Sequence, residues 1–132
     1  MEQDIKKRAY YFSLSVVKFI DTIESRRIHF SLIDQLLRSA TSVGANLIEA
    51  RAAHSRRDFV KFYEIALKSA NETKYWLCLL RDGFDVDREE VKALLNEADE
   101  ISKIVATIVI KLKKSRRPLP SVKEDHAAYL PF

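Results

Sequence analysis

His54, Ser55 and Asp58 stand within five positions, and an imidazole, a hydroxyl and a carboxylate are the parts of a hydrolytic triad. Helix capping explains two of them more simply. A serine followed three residues later by an acid is a helix start signal. A di-iron centre inside a helical bundle needs Glu-x-x-His pairs. None of the three histidines follows a glutamate by three positions. Two isolated glycines, Gly44 and Gly83, cannot build a phosphate-cradling loop. Cys78 has no second cysteine to pair with, so it reads as a small buried hydrophobe. The expectation is a protein without catalysis, metal or cofactor.

Charge is the chemistry that remains. The chain carries 23 lysines and arginines against 19 acids, a net +4. Residues 82–100 hold eight acids against Arg88 and Lys92, so that segment is −6 and the remainder is +10. Basic residues gather elsewhere: Lys6, Lys7 and Arg8; Arg51; Arg56, Arg57 and Lys61; Lys111, Lys113, Lys114, Arg116 and Arg117. These twelve form the candidate nucleic-acid-binding set, provided the fold brings them to one end. Such a surface attracts phosphate by counterion release and carries little sequence information. Arg56 and Arg57 oppose the dipole at a helix start, which favours a functional reason for them.

The elements that position these charges follow from apolar spacing. Ile5, Ala9, Phe12, Val16, Phe19 and Ile23 step as one helix face. Ile33, Leu36, Leu37, Ala40, Val43 and Leu47 repeat the pattern. So do Phe59, Phe62, Ala66, Ala70, Thr73, Leu77 and Leu80, and then Val91, Leu94, Ala98, Ile101, Val105, Ile108 and Leu112. Ser25 to His29 breaks the first pattern. Ser55 with Asp58, and Asp87 with Glu90, mark the third and fourth starts. Gly83 sits where a left-handed cap would end the third helix. Gly44 lies inside the second, where it marks a close helix contact or a bend.

The β-branched run Ile104 to Ile110 reads as helix because the heptad continues on both sides. Pro118, Pro120 and Pro131 cannot continue a helix. The expected fold is all-α: an antiparallel up-down-up-down four-helix bundle over residues 1–115, with an extended tail over 116–132. That topology collects the basic segments at one pole and the acidic start of the fourth helix at the other.

The outer faces carry more than solvation requires. Tyr10, Leu14 and Val17 lie roughly 140–160° from the first core stripe. Ile65, Trp76 and Leu79 widen the third helix, with Glu72 beside Trp76. Ile104 and Ile110 fall outside the fourth stripe. Three such flanks point to a homo-oligomer interface. On the second helix Gln35, Arg38, Ser42, Asn46 and Glu49 are read as projecting opposite its core. Arg38 and Glu49 are about 16 Å apart along the axis, too far to pair, so partners on other helices or subunits are expected.

The run Leu36-Leu37-Arg38-Ser39-Ala40-Thr41-Ser42-Val43-Gly44-Ala45-Asn46-Leu47-Ile48-Glu49-Ala50 carries a resemblance. It is followed by Ser55-Arg56-Arg57-Asp58-Phe59, by Ile65-Ala66-Leu67-Lys68 and by Glu72-Thr73-Lys74-Tyr75-Trp76-Leu77. In order and spacing these resemble bacterial four-helix-bundle proteins encoded within intervening sequences of large-subunit (23S) ribosomal RNA genes. The accessory proteins of diversity-generating retroelements share that fold. The resemblance spans about residues 5–114. It implies a compact bundle, commonly a ring-shaped homopentamer, no catalysis, and a suspected association with nucleic acid.

The resulting expectation is a non-enzymatic homo-oligomer that contacts RNA or DNA through its basic pole. The alternative is a protein-binding scaffold or accessory subunit, for example beside a reverse transcriptase, with the tail as docking arm through Leu119, Val122, Tyr129, Leu130 and Phe132. No apolar run approaches the roughly 20 residues of a membrane span. With no secretory leader and a lone cysteine, the expected compartment is the cytoplasm.

Overall fold

A computed structural model describes residues 4–23 and 30–115. Among them are four helices: α1 (Ile5–Asp21), α2 (Phe30–Glu49), α3 (Arg56–Gly83) and α4 (Arg88–Lys114). A single 3₁₀ turn, Ala50–Ala52, follows α2. Each helix packs on two neighbours, α1 on α2 and α4, and α3 on α2 and α4. The backbones of the diagonal pairs stay further apart among the described residues. That is a four-helix bundle. The β-branched run Ile104–Ile110 is wholly helical. The break at Ser25 to His29 and the tail 116–132 lie outside the described residues. No described helix is long and apolar enough to cross a membrane.

The caps form as the residue types require. Ser55 Oγ accepts the Asp58 N–H at 3.1 Å. Asp87 Oδ1 accepts from Glu89 and Glu90 N–H at 2.9 and 3.2 Å. Asp4 Oδ1 accepts the Lys6 N–H at the start of α1. Gly83 behaves differently from the expected left-handed cap. It is the last helical residue, and the chain leaves through Phe84 in an extended conformation (φ −126°, ψ 160°). Phe84 and Val86 pack against the core, and that packing draws the chain back toward α4.

The core is the predicted stripes, with a few exchanges. Leu36, Leu47, Leu77, Leu80 and Ile101 are fully buried. Each such side chain contributes roughly 1.5–3 kcal/mol through burial. On α3, Tyr63 is buried while Phe62 is half-buried; burial first, then the Asp4 charge, raise the Tyr63 hydroxyl pKa. On α4, Val109 is buried and Ile108 only half-buried. Cys78 is half-buried rather than interior, because it sits 100° around the helix from Leu77.

Gly44 marks a close approach. A Cβ there would meet Ala9 of α1 at 3.6 Å, an ordinary contact. Gly44→Ala therefore fits, and the gain in helix propensity is about 1 kcal/mol. The expected result is a small rise in thermal midpoint by circular dichroism. A lower midpoint would show that α1 and α2 must come closer than a methyl group permits.

Candidate nucleic-acid interface

The ends of α3 and α4 are pinned together. Arg56 Nη2 donates to the Leu112 carbonyl in the last turn of α4. Carbonyls in that turn lack helical N–H partners, so the guanidinium satisfies one of them. Lys113 reaches Glu64 of α3 at 2.8 Å. These contacts explain why Arg56 sits at a helix start despite the dipole: its charge serves the end of the neighbouring helix. They also gather two basic helix termini, the start of α3 and the end of α4.

The twelve predicted basic residues then divide. Arg57, Lys61, Lys111 and Lys114 are exposed and make no ion pair among the described residues. Lys7 is half-buried on α1, also without an ion pair among them. Lys6 lies 3.4 Å from Asp4. Arg51 is half-buried in the 3₁₀ turn. Arg116 and Arg117 lie outside the described residues.

Arg8 is placed elsewhere. Its Nε and Nη2 donate to Glu97 at 2.7 Å each, and Nη2 donates to Glu100 at 2.9 Å. The Glu97 hydrogen bonds, with help from Glu100, raise the guanidinium pKa. Arg8 thus clamps α1 to the middle of α4, about 20 Å from Lys114 along the axis. The acidic segment divides in the same way. Asp82, Asp85, Asp87, Glu89 and Glu90 are exposed around the α3–α4 junction. Glu97, Asp99 and Glu100 lie further along and hold cations. Lys103 first, then Lys74, keep the Asp99 carboxyl below its ordinary pKa.

The residues predicted for an oligomer surface also spread out. Tyr10 and Leu14 are half-buried, and Val17 is 44% exposed. Arg38 and Glu49 are exposed, and Arg38 reaches Asp34 of its own helix at 3.9 Å. Ile65 is half-buried. Trp76 packs on the core edge, with Nε1 donating to Glu72 at 2.9 Å.

Ser42 and Asn46 do not face away from the subunit. Ser69 Oγ of α3 donates to Ser42 Oγ at 2.9 Å, and Asn46 Nδ2 donates to Ser42 Oγ and to its carbonyl. Deeper in the same seam, Thr73 Oγ1 donates to the Ser69 carbonyl at 2.7 Å and lies 3.0 Å from Ser39 Oγ. Sequence reasoning missed this hydroxyl seam. Its signal was present as small polar residues at helical spacing, Ser39-Ser42-Asn46 facing Ser69-Thr73.

The described residues contain no group of three or more histidine, cysteine or acidic side chains able to hold a metal. What the surface offers is a set of wetted cations.

The comparisons agree with this architecture. Residues 1–107 match the family model described as 23S rRNA-intervening sequence protein. A crystal structure of a protein of unknown function, from the S23 ribosomal protein family of Bacteroides thetaiotaomicron, superposes with a TM-score of 0.75. It is 38% identical, and the match covers 80% of this chain and 98% of that one. No curated protein sequence matches significantly. With the family's motifs in order and its model spanning most of the chain, the protein belongs to the 23S rRNA-intervening sequence proteins.

Proposed function

We propose that this protein is a non-enzymatic, cytoplasmic homo-oligomer that takes up nucleic-acid phosphate on its basic end. One observation carries the reading. Arg57, Lys61, Lys111 and Lys114 are exposed, without ion pairs among the described residues, on two helix ends that Arg56 ties together. Cations with salt-bridge partners would have to give them up to meet phosphate; these four do not. The exposed acids at the α3–α4 junction give the subunit a charge axis. A ring of parallel subunits, joined through flanks such as the one bearing Val17, would multiply that axis into a basic face. A monomer mass by light scattering would remove the ring from this reading.

Structured ribosomal RNA is the first ligand to try, given the description of the matched family. Purified, nuclease-treated protein is titrated with it at several salt concentrations. The expected log–log slope is roughly −0.7 to −0.9 per phosphate contacted, so a steep fall in affinity marks several contacts. Absence of binding at low salt would reject the reading and leave a protein-binding scaffold.

A further inference from the structure

We infer that the tail of this chain docks in cis into the groove between α1 and α4, with Leu119 and Val122 on its apolar floor. The groove runs between the first turns of α1 and the C-terminal half of α4. α1 has 17 residues and α4 has 27, so the last turns of α4 extend past the start of α1. Ile5, Ile104 and Ile108 line the groove, with Asp4, Arg8, Lys103, Thr107 and Lys111 around them. Ile104 and Ile108 are only half-buried within the bundle. The side chains are therefore in place for one more apolar partner.

Length, composition and charge select the tail as that partner. The described chain ends at Ser115, whose backbone is extended (φ −83°, ψ 139°) just one turn beyond Lys111 at the groove's near end. Seventeen residues follow in the sequence. Lys111 to Ile104 is about 10 Å along the helix, whereas an extended chain covers roughly 3.3 Å per residue. The first eight tail residues are thus enough to turn back and fill the groove. Pro118 and Pro120 restrict the free chain, which lowers the entropy lost on docking. Glu124 and Asp125 follow the apolar pair, toward the far end of the groove, where the exposed Lys103 that pairs with Asp99 offers a cation. This docking goes beyond the matched family body, which ends at residue 107. Lys111 lines the groove and also belongs to the phosphate-binding set, but the test below reads no nucleic-acid binding, so the two readings can fail separately.

The test uses the full chain. Trypsin cleavage after Lys123 is timed in the unaltered protein and in a Leu119→Ser/Val122→Ser variant. Docking predicts at least tenfold faster cleavage in the variant, a difference of about 1.4 kcal/mol. Equal rates overturn the inference. Methyl NOEs identify the contact itself. Leu119 and Val122 should show cross-peaks to Ile104 and Ile108 in the unaltered protein, lost in the variant. Cross-peaks arising only between differently labelled copies would mean that a second copy fills the groove, and would overturn docking in cis. Cross-peaks to another surface would overturn it equally.

Discussion

Reversing Arg57, Lys61 and Lys114 together to glutamate is expected to cut the affinity for structured RNA roughly a hundredfold or more near physiological salt. The same change should make the log–log salt slope shallower by about 2 to 3, since each lost phosphate contact removes roughly 0.7–0.9. Both readings come from one titration by fluorescence anisotropy. All three residues are exposed and make no ion pair among the described residues, so the bundle should keep its thermal midpoint. That separates a binding defect from a folding defect. Arg56 is the wrong residue for this purpose. Its guanidinium holds the Leu112 carbonyl, so Arg56→Glu removes a tertiary contact along with a charge. Lys113 is similarly compromised by Glu64. An unchanged slope in the triple reversal would move any phosphate contact off this end of the bundle.

The division between free and engaged cations shows what the sequence could and could not reveal. The helices were legible because apolar spacing is a local property. Ser55, Asp87 and the stripe from Val91 to Val105 can each be read within a short window. The poles were legible to the extent that topology alone sorts charges by helix end.

Pairing across helices was not legible, because it depends on register. Arg8 and Glu97 are 89 positions apart and meet only because α1 lies alongside the middle of α4. No local rule gives that offset. Arg56 illustrates the same limit: its misfit with its own helix dipole was visible, but its partner at the end of α4 was not. Gly83 failed in another way. Glycine permits a left-handed cap without requiring one, and here the chain leaves extended, with Phe84 and Val86 half-buried against the core. Ser42 and Asn46 were placed outside because angles on one helix ignore how closely a neighbour approaches. Small side chains at Ser39, Ser42 and Ser69 let α2 and α3 share hydroxyl contacts from the buried Thr73 out to the half-buried Ser42.

Leu77→Ala should have the largest effect on stability, a loss of roughly 3 kcal/mol within the usual range for a buried leucine. Leu77 is completely buried in α3, the helix that packs on both α2 and α4. Its loss leaves a void that few neighbours can fill. Many other buried core positions are alanine, at Ala40, Ala66, Ala70 and Ala98, and alanine side chains have no rotamers with which to move into a void. The α2–α3 hydroxyl seam also holds those two backbones in register and resists their collapse. At about 3–6 °C per kcal/mol for a domain of this size, the thermal midpoint should fall by roughly 10–15 °C. Melting at several protein concentrations separates this loss from any change in association, since subunit binding adds a concentration-dependent term. The contrast is Lys103→Ala. Lys103 pairs with Asp99 at 3.0 Å, but its side chain is 75% exposed, so the change should cost well under about 1 kcal/mol. Comparable losses in the two variants would mean that the ion pairs along α4, rather than the leucine and alanine interior, hold the bundle together.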